Sequence, residues 1–280
     1  ISTESLRASD DLIFLSVHPN KDGSLLFENP RAFQGKGETT WEGLIKSVRG
    51  KVKGTKAKIR LGASSGEWKA MVADEAARTT FAKNIKKVLE KNNLDGIDLD
   101  FEWAENEKEY EDYSLAILKM REVLGDKYLF SVSLHPVCYK ISKKAIEAVD
   151  FISLQCYGPS PVRFPIEKYC SDIQMVLEYG IPKEKLVAGV PFYGVTKDNS
   201  KKTEAYFNFV QDGLITSPSQ NEVIYQGDTY VFDGQDNIRI KTRYAKEQKL
   251  KGMMSWDLAT DLPLNDSKSL LKTMTEELRK

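Results

Sequence analysis

The run Asp95-Gly96-Ile97-Asp98-Leu99-Asp100-Phe101-Glu102-Trp103 alternates polar and apolar side chains after its glycine. Alternation is the pattern of a β-strand, in which every second side chain points to the same face. Asp98, Asp100 and Glu102 therefore share one face, with Ile97, Leu99 and Phe101 on the other. Alternate strand positions lie about 6.6 Å apart, so three carboxyls crowd into about 13 Å. Like charges this close do not all ionise cheaply, and at least one pKa is expected to be pushed upward. That is how an enzyme keeps a carboxylic acid protonated near neutral pH for general-acid work. In isolation, such a run also suits a solvated strand face or a cation site. Here the other face is Ile, Leu and Phe, which suits a barrel strand with helices over its apolar face and an acidic end at the mouth.

The flanking sequence alternates between strand and helix signals. Before the acidic strand, Asp74 to Asn92 carries Ala76, Ala77, Phe81, Ile85, Val88 and Leu89 at helical spacing, and Asn92-Asn93 stops it. Further strands are expected at Leu12 to His18, Lys58 to Ala63, Tyr128 to Leu134, Phe151 to Tyr157, Leu186 to Phe192 and Gly252 to Trp256. Helices are expected from Thr39 or Thr40 to about Val52, and over about Glu107 to Val123, Ile141 to Ala148, Ile166 to Tyr179, Ile238 to Lys249 and Ser267 to Leu278. The stretch 195–237 reads as irregular, with β-like pieces at Val223 to Tyr225 and Tyr230 to Phe232. Alternation with short loops argues for a parallel sheet, and a repeat of about 30 to 40 residues for a (β/α)8 barrel. Seven strands are legible. A doubly wound open sheet is the alternative, but no glycine-rich phosphate loop supports it.

Composition narrows the partners. The chain has 280 residues, 41% hydrophobic and 29% charged, which is ordinary for a soluble globular protein and long enough for one large α/β barrel. Lys+Arg and Asp+Glu are both 41, a balance that argues against nucleic-acid or anionic-membrane partners. No apolar run approaches the roughly 18 residues of a membrane span. The chain begins at Ile1 with no signal-peptide pattern, so a processed or trimmed N-terminus is expected. Cys138, Cys156 and Cys170 form no C-x-x-C; they read as buried free thiols, with one bridge the alternative. His18 and His135 are too few for a His-rich metal centre, and no G-x-S-x-G elbow exists.

Asp95-Gly96-Ile97-Asp98-Leu99-Asp100-Phe101-Glu102 fits the D-G-x-D-x-D-x-E pattern and so resembles glycoside hydrolase family 18, the chitinases and endo-β-N-acetylglucosaminidases. Other strand ends resemble the family in order. Ser64-Ser65-Gly66 is similar to its third-strand S-x-G-G, with Glu67 in place of the last Gly. Gln155-Cys156-Tyr157 is similar to the sixth-strand motif, with Gly158 where Asp or Asn is usual. Gly189-Val190-Pro191-Phe192-Tyr193-Gly194 resembles the seventh, and Gly252-Met253-Met254-Ser255-Trp256-Asp257-Leu258 with Asp261 the eighth.

The resemblance implies one (β/α)8 TIM-barrel catalytic domain over residues 1–280, without a large α+β insertion. Leu12 to His18 maps onto the family's second strand, so the first would lie upstream of Ile1. The implied activity is chitinase-type hydrolysis with retention, in which the substrate's 2-acetamido oxygen attacks the anomeric carbon and no second carboxylate attacks. Glu102 would be the general acid. Asp100 would orient the acetamido N–H, Asp98 would share a proton or charge with Asp100, and Tyr157 would donate to the acetamido oxygen. Trp256 would stack beneath the sugar, with Tyr193, Gln155 and Trp103 as further wall residues. For Trp41 and Trp68, core packing competes with binding of outer sugars. The implied partner is an N-acetylglucosamine-containing oligosaccharide or polysaccharide, with no metal or cofactor, a monomer by default, and a secreted, periplasmic or cell-surface location. Gly158 raises the alternative of N-glycan-core cleavage, and family members that bind without cutting supply a lectin-like alternative.

Overall fold

The computed structural model describes residues 1–27 and 40–280. In chain order the elements are α1 (Thr3–Arg7), β1 (Asp11–Pro19), β2 (Leu25–Phe27), α2 (Trp41–Lys51), β3 (Lys58–Ser64), α3 (Trp68–Ala73), α4 (Glu75–Asn92), β4 (Gly96–Asp100), α5 (Glu107–Leu124), β5 (Leu129–Leu134), α6 (Lys143–Ala148) and β6 (Phe151–Leu154). They continue with α7 (Ile166–Tyr179), β7 (Leu186–Pro191), β8 (Tyr193–Thr196), β9 (Thr203–Ala205), α8 (Tyr206–Gln211), β10 (Glu222–Tyr225), β11 (Asp228–Val231), α9 (Gln235–Glu247), β12 (Gly252–Trp256) and α10 (Leu270–Arg279). All seven expected strands are present, as β1, β3, β4, β5, β6, β7 and β12. The helix expected from Thr39 or Thr40 is α2; Thr40 caps it by accepting from Gly43 N–H, while Thr39 lies outside the described residues. Residues 9–152 form one compact unit, and residues 1–8 with 153–280 another.

In the first unit, β1, β3, β4 and β5 run parallel, with β2 antiparallel beside β1. The register sets Arg60 level with Gly96, Gly62 with Asp98, Ser64 with Asp100, and Asp98 with Ser131. Residues level on neighbouring strands share a face, so one face carries Arg60, Ser64, Asp98, Asp100 and Ser131. The other carries Ile59, Leu61, Ala63, Ile97, Leu99, Phe130 and Val132, all buried. Helices α3, α4 and α5 pack on one another. There Trp68 stacks on Phe101 at 5.5 Å, with Phe81 and Tyr113 edge-on. Trp68 is therefore core, not a sugar platform. Two local devices set the helix ends: Asp74 caps α4 by accepting from Ala77 N–H at 2.7 Å, and Asn93 closes it in the left-handed region.

In the second unit, β7 and β12 run parallel. The stretch expected to be irregular instead folds into an antiparallel sheet, in the order β10-β11-β8-β9, with α8 beside β9. Its tight turn is Gln226-Gly227, both at positive φ, a two-residue hairpin whose signal is weaker with Gln than with Asn or Asp. Phe209 gathers Tyr225, Tyr230 and Phe232 around it, each at 5.5 Å. Deeper in this unit, Lys241 donates to Asp233 at 2.6 Å, and both side chains are almost fully buried. The ammonium also lies 5.4 Å from the Tyr169 ring and 6.0 Å from that of Phe164.

Removing one partner of a buried pair leaves the other charge without compensation, at a cost of about 3–5 kcal/mol. Lys241→Met is therefore expected to lower stability by about that amount. Chemical denaturation checks this: the midpoint falls while the denaturant slope stays unchanged.

Candidate active site

The alternation read from the sequence is present: Asp98 and Asp100 share one face of β4, and Ile97 and Leu99 the other. The strand ends at Asp100, however, so Glu102 lies two residues beyond it and is exposed. The three carboxyls thus sit in three environments, with Asp98 buried, Asp100 half-buried and Glu102 exposed. Trp103 is half-buried, and its ring meets His135 edge-on at 4.5 Å.

Asp98 is 2% exposed and fully engaged. Its Oδ1 accepts from Ser131 Oγ, and its Oδ2 from Ser133 Oγ at 2.8 Å. Arg60 is also buried; it donates to Ser131 Oγ at 2.7 Å and to the Ile97 carbonyl at 2.9 Å. A bidentate pair with Asp11, at 2.5 to 3.0 Å, holds the guanidinium. Burial pushes the Asp98 carboxyl above its ordinary pKa; the Arg60 charge and the two serine hydroxyls pull it down. An upward shift was expected from crowding of like charges, but its main cause is loss of water.

The loop after β5 completes this part of the site. Ala104 N–H donates to Cys138 Sγ at 3.2 Å, tying that loop to the segment after Glu102. Burial pushes the Cys138 thiol up, and the charges of Glu102 and Asp100 add to the shift. Cys138 is thus an inert thiol within electrostatic reach of both carboxylates. Val137 N–H donates to His135 Nδ1 at 3.2 Å, so a neutral His135 carries its proton on Nε2. His18 pairs through Nδ1 with the Ser64 carbonyl, which requires the opposite tautomer. Ser64-Ser65-Gly66 forms the turn after β3, with Ser65 and Gly66 at positive φ. A Cβ on Gly66 would lie 2.6 Å from the Pro19 carbonyl, so only glycine fits.

The second unit holds the other expected residues. Tyr157 and Tyr193 meet edge-on at 6.4 Å, and Phe164 meets Tyr193 at 6.5 Å. Tyr193 donates to the Gly158 carbonyl at 3.2 Å, and the Tyr157 hydroxyl lies 3.5 Å from Met254 Sδ. Gln155 is buried, and Trp256 closes β12 with 39% of its surface exposed. Asp261 accepts from the backbone N–H groups of Leu270 and Leu271 at 3.0 and 2.8 Å, so it anchors the start of α10. Cys156 is buried and Cys170 half-buried, and all three cysteines are free thiols. Trp41 is half-buried, edge-on to Phe14 and Phe27 at 6.2 Å.

Arg60, Asp11, Ser131, Ser133, His135 and Cys138 were not anticipated as site residues. A signal was available, because Ser131-Val132-Ser133-Leu134-His135 alternates as Asp98 to Glu102 does. Among the described residues, no group of three or more His, Cys, Asp and Glu is arranged to hold a metal ion.

Because its folded pKa is raised, Asp98 costs stability wherever it is ionised, and that cost vanishes as pH falls below its unfolded pKa. Asp98→Asn preserves both contacts, with its carbonyl accepting from Ser131 and its amide donating to Ser133. The variant is expected to melt higher than wild type at neutral pH. Thermal melts across pH check this, with the gap closing as wild-type Asp98 becomes protonated.

The sequence profile described as Glycosyl hydrolases family 18 matches residues 8–261. "Probable chitinase 2" of Drosophila melanogaster is 24% identical over 261 residues, covering 70% of this chain and 54% of that protein. "Chitinase A1" of Niallia circulans is 24% identical over 328 residues, covering 86% of this chain and 47% of that protein. The chain spans about half the length of these curated relatives. Among solved structures, a chitinase from the chitin utilization locus of Flavobacterium johnsoniae superposes with TM-score 0.79 at 24% identity, covering 98% of this chain and 88% of its own. A group IV chitinase of Ostrinia furnacalis, in complex with allosamidin, gives 0.80 at 19%, covering 100% and 94%. A chitinase-like agglutinin of Robinia pseudoacacia gives 0.78 at 16%, covering 99% and 96%. At these identities the structural likeness speaks for the fold, the α/β TIM barrel, and the profile match speaks for the family: the chain belongs to glycosyl hydrolase family 18.

Proposed function

We propose that this protein is a chitinase-type glycoside hydrolase cleaving β-1,4 linkages next to N-acetylglucosamine, with retention of configuration. The observation that carries the reading is the graded acidic strand: Glu102 exposed beyond its end, Asp100 half-buried, and Asp98 buried behind them. An exposed carboxyl can reach a substrate; a buried, fully bonded one can only support its neighbours. Residues 1–280 act in this reading as one catalytic domain.

In the first step Glu102 gives its proton to the leaving glycosidic oxygen. The substrate's 2-acetamido oxygen attacks the anomeric carbon as the glycosidic C–O bond breaks, giving an oxazolinium ion. Asp100 accepts from the acetamido N–H and stabilises the positive charge that develops there, backed by Asp98. Water then attacks the anomeric carbon, Glu102 takes its proton, and the acetamido group is released. Tyr157 donates to the acetamido oxygen, and Trp256 offers an apolar floor to the sugar's C–H groups. Trp103, Tyr193 and Gln155 shape the surroundings. The substrate is an N-acetylglucosamine oligosaccharide or polymer, and such glycans place the enzyme outside the cell or at its surface.

Two other readings have specific support. Gly158 after Tyr157 favours cleavage of N-glycan cores, because the usual Asp or Asn is missing. The agglutinin neighbour shares the fold, which fits a protein that binds sugar without cutting it; retention of Glu102 favours the enzyme. Product analysis on chitooligosaccharides and a high-mannose glycopeptide separates all three. Wild type is expected to cut the chitooligosaccharides, and Glu102→Gln to lose about 10²–10⁴-fold in rate with binding retained. Cleavage of the glycopeptide alone supports glycan-core activity, and binding without cleavage of either supports a lectin.

A further inference from the structure

The two oxygens of Asp98 are not equivalent. Oδ1 accepts from Ser131, and Ser131 in turn accepts from Arg60 Nη1 at 2.7 Å. A guanidinium has only donors and stays protonated in proteins. Ser131 therefore accepts from Arg60 with one lone pair, and its single hydroxyl proton has Oδ1 as its acceptor; a proton on Oδ1 would leave the buried serine's own proton without an acceptor among the described hydrogen bonds. The fork on Asp11 and the bond to the Ile97 carbonyl leave the guanidinium no freedom to turn away. Ser133 differs. Its hydroxyl lies 2.8 Å from Oδ2, and a hydroxyl rotor either donates to an ionised carboxylate or accepts from a protonated one. Leu99 is level with Val132, and the next residues along the two strands are Asp100 and Ser133.

We infer that Arg60 and Ser131 are positioning residues that close Oδ1 to protonation and confine any proton on Asp98 to Oδ2, the oxygen paired with Ser133. The inference deepens the proposed function, in which Asp98 and Asp100 act as one charged unit: it names the oxygen and the residues that decide where their shared proton rests. No covalent step is added. The proton is held on the Oδ2 side. Of the ionisable groups that act on Asp98, the Arg60 cation on β3 pulls its pKa down and Asp11 on β1 pushes it up; Tyr113 on α5 feels the charges of both Asp98 and Asp100. Removing the Ser131 hydroxyl takes away the hydrogen-bonded connection between that cation and the carboxylate.

The test is a carboxyl titration by 13C NMR on protein labelled at the aspartate side-chain carbon, with Asp98→Asn identifying the resonance. It needs no turnover, so it stands apart from whether the protein hydrolyses glycans. Ser131→Ala removes a donor to the ionised form and is expected to raise the Asp98 midpoint by about one pH unit or more. Ser133→Ala is expected to raise it less, because none of the described hydrogen bonds joins that hydroxyl to a cation. Arg60→Lys keeps the charge but loses the fork, and is expected to give an intermediate rise. If Ser131→Ala fails to fold, Arg60→Lys carries the test. On a chitooligosaccharide, the acid limb of kcat/KM should move upward with the midpoint. A Ser131→Ala or Arg60→Lys midpoint within about 0.3 units of wild type overturns the inference. So does a Ser133→Ala shift that equals or exceeds that of Ser131→Ala.

Discussion

A carboxylate with 2% exposure has to be solvated by protein, and the polar face of the first unit is built to do this for Asp98. Taking an ion out of water costs several kcal/mol unless hydrogen bonds replace the hydration. Two serine hydroxyls supply those bonds, a buried guanidinium stands behind one of them, and Asp11 keeps the guanidinium itself paired. All of these side chains come from strands, where side-chain direction follows register. A slip of one residue in β4 would turn Ile97 and Leu99 toward Arg60 and bury Asp98 among Leu61 and Val132. The same register that packs the core therefore builds the acidic site.

This explains how much was legible in the sequence. The acidic strand was readable because its apolar and polar faces alternate without interruption, and the parallel α/β order followed from the spacing of the remaining strands. Helix ends with strong caps were readable to within a residue or two, as at Asp74, Asn93 and Gly180. Arg60 was not readable as part of the site. In Lys58-Ile59-Arg60-Leu61 it looks like the solvated face of an alternating strand, and only the neighbours on β1, β4 and β5 show that the face is enclosed. Ser131 and Ser133 went unnoticed for the same reason, since hydroxyls carry no charge to draw attention. The sheet at 193–231 was hidden by short strands and a Gln-Gly turn, both weak local signals.

Tryptophans separate by environment, which a sequence does not display. Trp68 stacks within a cluster of rings and is core. Trp256 keeps 39% of its surface open. In the second unit, Lys241 sits beside the Phe164 ring, Phe164 beside Tyr193, and Tyr193 beside Tyr157. A buried ion pair thus underlies the aromatic residues assigned to the substrate wall. Both units spend stability on a buried charge, and in each the charged group stands behind residues assigned to the chemistry.

In the proposed reaction Glu102 works with the substrate's own acetamido group and not with a second attacking carboxylate. The most direct measurement is the anomeric form of the first product, followed by 1H NMR from the onset of hydrolysis of a β-linked chitooligosaccharide. Two successive displacements at the anomeric carbon give the β-anomer first, with the α-anomer appearing later by mutarotation. Initial release of the α-anomer would mean that water attacks directly, and would rule out attack by the acetamido group.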